Sequence, residues 1–112
     1  MAQVRLLTCA LLLLLTSVAM AGATVVNVRI GSEIIITRVV LDLSDPIDHS
    51  IYTLRGPDRL VIDLKDSRLG TQLTAMPRGA GSVRAIRSAI RANGQLRVVL
   101  DLETAVRSRT FT

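Results

Sequence analysis

The chain has 112 residues, 14 Lys or Arg against 9 Asp or Glu, and a formal net charge of +5. Its one histidine, with scattered Asp and no Glu-x-x-His pattern, cannot supply the roughly three protein ligands of a catalytic zinc, and its one cysteine rules out a disulfide framework. The length fits one small domain, near the lower size at which an apolar core suffices.

Residues 1–23 read as a cleaved secretory signal peptide. Arg5 gives the start a positive charge, Leu6 to Val18 is almost wholly apolar, and the small residues Ala19-Met20-Ala21 and Ala21-Gly22-Ala23 offer cleavage after Ala21 or Ala23. The apolar stretch is at the short end for a bilayer span, so no stable membrane anchor is expected after cleavage. Cys9 lies early in the apolar run after Thr8, the wrong place for lipidation, and no Arg-Arg pair directs the chain to the twin-arginine route.

Strands follow in quick succession. Val25–Ile30 and Ile34–Leu43 flank a turn at Gly31-Ser32-Glu33; Ser50–Arg55 and Arg59–Leu64 flank a turn at Gly56-Pro57-Asp58. Asp66 to Ser82, with Gly70, Pro77, Gly79 and Gly81, reads as loop with a short strand at Thr71–Ala75. Val83–Arg91 and Gln95–Leu102 flank Asn93-Gly94, a strong hairpin signal because both residues tolerate positive φ. Val83, Ile86 and Ile90 also sit at helical spacing with Arg84, Arg87 and Arg91 opposite; the Asn-Gly turn favours the strand.

One hexapeptide, Arg-Val-Val-Leu-Asp-Leu, occurs at Arg38–Leu43 and again at Arg97–Leu102, with the near-copy Arg59–Leu64 between them. In each, apolar residues alternate: Val39, Leu41 and Leu43; Leu60, Ile62 and Leu64; Val98, Leu100 and Leu102. A period of two with β-branched residues predicts strands with one face on a core. At the 59-residue offset of the hexapeptides, Ile47 falls on Val106 and Tyr52 on Phe111; Val28-Arg29-Ile30 matches Ile86-Arg87-Ser88 with an offset one shorter. The expected fold is all-β: a small sandwich of two antiparallel sheets with an approximate internal two-fold repeat. Tyr52 and Phe111, the only aromatics, are expected in the core, and His49 in an exposed loop.

The charge is lopsided. Thr24 to Asp66 has five basic and seven acidic residues, a balance of −2, whereas Ser67 to Thr112 has eight and two, a balance of +6. A basic half points to an acidic partner; export argues against nucleic acid. The repeated Arg and Asp lie about 13 Å apart within a strand, too far to pair there. Two readings stay open: a cross-strand ladder that sets register, or a polar face on which Arg, including Arg29, Arg38 and Arg97, grips carboxylates. Arg78, Arg84, Arg87 and Arg91 form the stronger site candidate, since nothing acidic lies between Ser67 and Leu100.

Val26–Ile30, Thr37–Leu43, Ile51–Leu54 and Pro57–Leu64 with Asp66, followed by Val83–Arg87 and Leu96–Leu102, resemble the AMIN domain. That domain fronts many periplasmic N-acetylmuramoyl-L-alanine amidases and occurs in some secretins of type IV pili. The resemblance covers 24–112 and implies a two-sheet sandwich that binds peptidoglycan and brings a zinc amidase to the division septum for cell separation. It implies periplasmic location, and division or secretion-machinery proteins as further partners. The alternative role is a protein-docking module of the secretin type. No cofactor is expected in this chain; zinc would belong to the catalytic domain, which is absent from it, so the chain alone is not expected to be an enzyme. Because Tyr52 lies in a strand that runs on to a turn while its match Phe111 is followed only by Thr112, the second copy reads as truncated in its last strand.

Overall fold

A computed structural model describes residues 2–7, 10–15, 22–33, 35–73 and 75–111. The alternating segments form strands throughout. In chain order they are β1 (Ala2–Leu7), β2 (Ala10–Leu15), β3 (Ala23–Ser32), β4 (Ile36–Leu43), β5 (His49–Leu54), β6 (Arg59–Leu64), β7 (Ser67–Leu69), β8 (Val83–Ile90), β9 (Leu96–Leu102) and β10 (Ser108–Phe111). One sheet has the order β10-β2-β1-β4-β3-β7, with β10 also paired to β1; the other has the order β5-β6-β9-β8. Neighbours are antiparallel except β3 with β7 and β10 with β2. The expected cleavage point at Ala21, and Cys9, lie outside the described residues.

The two sheets close on one core. Val25, Val28, Val39 and Leu41 from the first meet Leu60, Ile62, Leu64, Val83, Ile86, Leu96, Val98, Leu100 and Leu102 from the second. Val39, Leu41, Leu60, Ile62, Leu64, Val98, Leu100 and Leu102 are inward members of the alternation read from the sequence. Ile47 is buried and its repeat mate Val106 packs against the same core, so the 59-residue offset holds beyond the hexapeptide. No described helix is long and apolar enough to cross a membrane.

The helical spacing of Val83 and Ile86 has a cause in the sheet. A bulge falls between Val83 and Ala85 opposite β9, and its counterpart falls between Val25 and Asn27 opposite β4. One extra residue, Arg84 or Val26, moves the next inward side chain from two positions on to three. Val83 and Ile86 are both buried as a result, and so are Val25 and Val28.

Several expectations shift. β3 runs two residues past its expected end at Ile30, into the expected turn, because Gly31 and Ser32 pair with Arg38 and Thr37. The Asp66–Ser82 loop carries its short strand at Ser67–Leu69 rather than Thr71–Ala75, held parallel to β3 from Ala23 to Val25. Thr71 and Gln72 form a turn. The Asn-Gly turn is as expected: Gly94 has φ +80, its N–H donates to the Arg91 carbonyl at 2.9 Å, and Asn93 Oδ1 accepts the Gln95 N–H at 3.0 Å.

Candidate functional site

The outer face of the second sheet gathers most of the charged residues singled out in the sequence. Register sets Asp63 of β6 directly opposite Arg97 of β9. Arg97 grips it with two parallel hydrogen bonds, Nε to Oδ1 at 2.8 Å and Nη2 to Oδ2 at 3.0 Å. Tyr52 of β5 donates its O–H to Asp63 Oδ2 at 3.3 Å, and the Arg97 guanidinium lies 6.0 Å from the centre of the Tyr52 ring, within cation–π reach. The Asp63 side chain is only 5% exposed. The outer face of β6 is therefore covered, with Val61 and Asp63 both buried, rather than open to water as alternation alone suggests.

A second fork lies one strand over. Arg87 of β8 donates to Asp101 of β9, Nε to Oδ2 at 2.7 Å and Nη2 to Oδ1 at 2.8 Å. Its counterpart in the first sheet joins Arg29 to Asp42, at 3.1 and 3.0 Å. In both, the bulge precedes the Arg and the pair runs diagonally across the hairpin. The expectation that nothing acidic neutralises Arg87 is corrected: its partner comes from the following strand. Of the ladder and the binding face, the ladder is seen in three pairs, although of the three repeated arginines only Arg97 takes a repeated Asp.

The carboxylates feel these neighbours. The Arg97 hydrogen bonds hold Asp63 below the usual carboxylate range against the opposing effect of burial, helped by the Arg97 charge, Tyr52 and the charge of Arg91. Hydrogen bonds from Arg87 do the same for Asp101, again against burial, with the charges of Arg87, Arg84 and Arg59 adding to the effect. Those longer-range influences locate the remaining cations. Arg59, Arg84, Arg87, Arg91 and Arg97 thus all act on these two carboxylates.

Arg84 stands at the bulge and Arg91 just past β8, both exposed and, among the described residues, outside every ion pair. Arg78 lies on the adjoining loop, which Gly79 brings against the Val83 and Arg84 carbonyls; a Cβ at 79 would collide with them. Arg29 and Arg38 lie on the other sheet, so the seven candidate arginines do not form one site. Arg59, Asp63 and Asp101 belong to the repeated Arg and Asp face expected from the sequence, whereas Tyr52 was missed as a member. The hexapeptide register could have revealed Asp63 opposite Arg97, but nothing in the sequence marks Tyr52 as a surface ring.

Two further residues differ from expectation. Tyr52 is 36% exposed rather than in the core, since its position in β5 faces outward beside Asp63; the side chain of Phe111 lies outside the described residues. His49 is half-buried at the start of β5, with Nδ1 3.5 Å from the Ile47 carbonyl, rather than exposed in a loop. Among the described residues no three His, Cys, Asp or Glu gather as metal ligands.

The profile of the AMIN domain matches residues 23–112. No curated protein and no solved structure matches the chain. The profile spans both sheets from β3 to β10, including the repeated strands and the arginine-bearing face. The chain therefore belongs to the AMIN domain family, periplasmic modules that target peptidoglycan or dock proteins and are not themselves catalytic.

Proposed function

We propose that this chain binds peptidoglycan through the arginine face of its second sheet. The observation that carries this is the contrast within that face. Arg87 and Arg97 are fixed in forked pairs, while Arg84 and Arg91, exposed beside them, have no carboxylate among the described residues. Peptidoglycan stem peptides carry carboxylates, and a guanidinium matches a carboxylate with two parallel hydrogen bonds. With Tyr52 engaged by Asp63 and Arg97, contacts to glycan would be ionic and hydrogen-bonded, and the affinity modest.

In this reading the leader exports the chain, and the domain acts as the targeting end of a cell-wall N-acetylmuramoyl-L-alanine amidase at the septum, close to division proteins. The zinc chemistry of that enzyme class would be carried by a separate domain. Co-sedimentation with purified sacculi tests the wall contact. Binding should fall as salt rises, because exposed charges are screened, and should fall further in the Arg84→Ser/Arg91→Ser chain. Arg38→Ser, on the other sheet, should leave it unchanged. A folded chain that stays in the supernatant at low salt would overturn the proposal.

A further inference from the structure

Two overlapping windows of small residues, Ala19-Met20-Ala21 and Ala21-Gly22-Ala23, end the apolar leader, and by sequence either one marks a cleavage bond. Only Gly22 and Ala23 lie between the two bonds, and the fold uses both of them. Ala23 opens β3. Its side chain is 8% exposed and belongs to the core. It pairs with Ser67 of β7, and its N–H donates to the Asp66 carbonyl at 3.2 Å. Thr24 follows, donating its N–H to Ser44 Oγ at 2.9 Å and accepting the Ser44 N–H on its carbonyl at 2.8 Å. The start of β3 is thus tied down from two sides, and the family match also begins at Ala23.

Gly22 is shaped by the same contacts. Its φ is +86, and a Cβ there would come within 3.0 Å of the Asp66 carbonyl oxygen. Both features call for glycine.

A peptidase needs the chain around its bond exposed and free of hydrogen-bonded structure. The window ending at Ala23 loses that freedom once β3 pairs. Its last residue is buried, and its middle residue has a φ that no extended substrate adopts. A cut there would also strip one core side chain and its hydrogen bond to Asp66. The window ending at Ala21 lies ahead of β3, and a cut there removes neither. It would leave the new α-ammonium on Gly22, which lines an open cleft of about 530 Å³ with Ser44, Asp45, Asp66 and Arg68. Two carboxylates against one guanidinium suit a cation, and neither carboxylate is in an ion pair among the described residues.

We propose that the leader is cut at the Ala21–Gly22 bond, because β3 shields the Ala23–Thr24 bond, so that the exported domain begins at Gly22. This rests on the reading of the start of the chain as an export leader, and is independent of the wall contact.

The test exports the full chain from a bacterium and reads the recovered protein by N-terminal sequencing and intact mass. One species is expected, starting at Gly22 and heavier by one Gly and one Ala than a chain starting at Thr24. A start at Thr24, or at any other residue, overturns the proposal. A chain retained whole in the cytoplasm or the membrane sinks the leader reading and the inference with it, and is distinct from a shifted cut. Ala19→Leu spoils the first window and leaves the second intact. Uncut precursor should accumulate in that variant. An efficient cut after Ala23 would show that β3 does not shield the second bond, and would overturn the proposal.

Discussion

Leu100→Ala probes the layer that supports the arginine face. Leu100 has no exposed surface and lies between Leu60 and Ile86 on the neighbouring strands. Truncation removes three carbon groups, about 2.4 kcal/mol at ~0.8 per group. The cavity left between two paired strands raises the loss to about 3–4 kcal/mol. A domain of this size has a total stability of about 5–13 kcal/mol, so Tm should fall by about 12–30 °C. Urea titration followed by far-UV circular dichroism measures the loss. Emission from Tyr52, in a chain with one tyrosine and no tryptophan, reports the Arg97–Asp63 cluster in the same sample. The outward neighbour Val99, only half-buried, serves as control: Val99→Ala should cost less than about 1 kcal/mol. A Leu100→Ala loss below about 1 kcal/mol, or one no larger than that of Val99→Ala, would refute the assignment of the buried layer.

Acid should unfold the chain through its forked carboxylates. Asp63 and Asp101 titrate below their unfolded values because arginines bind their charged forms. Their contribution is therefore fully present above the unfolded pKa, about 4, and is lost as pH falls through the lower folded values. The urea midpoint should be level above about pH 5 and drop below about pH 4, and Asp101→Asn should flatten part of that drop. Gly81→Ala should destabilise by about 1–3 kcal/mol, because Gly81 has φ +55 and an added Cβ would collide with Thr37 Oγ1, which accepts the Ser82 N–H at 3.0 Å. Gly31→Ala, where a Cβ meets nothing within 4 Å, should stay within about 0.5 kcal/mol of the parent in the same urea assay.

How far the fold and the site could be read from the sequence differs from element to element. β6 and β9 were readable to within a residue because period-two alternation and β-branched residues need no partner to be recognised. β8 was ambiguous for a physical reason: a bulge at Arg84 stretches the inward spacing to three, the same step a helix takes. β7 carries no alternation over its three residues and exists only because β3 offers it a parallel edge. In the candidate site, the type of contact was legible but the partners were not. Arg87 looked free in a window without acids, yet a hairpin folds the next strand back and brings Asp101 to it. Tyr52 looked like core because rings usually are; its outward parity follows from the register of β5 on β6.

The identity of Arg38–Leu43 and Arg97–Leu102 also bears on how the chain finds its fold. β6 must choose between two templates of the same sequence, and only one belongs to its sheet. The nearer one along the chain, β4, is the wrong one, and short loops close more readily than long ones. Within the six residues no side chain discriminates between them. Discrimination falls to what surrounds the hexapeptides: Leu96, which extends the pairing of β9 to Leu64, and the different hairpin partners, with Asn27 and Ile30 on one template and Ala85 and Ser88 on the other. Internal duplication thus builds a symmetric sandwich and at the same time installs its most convincing decoy.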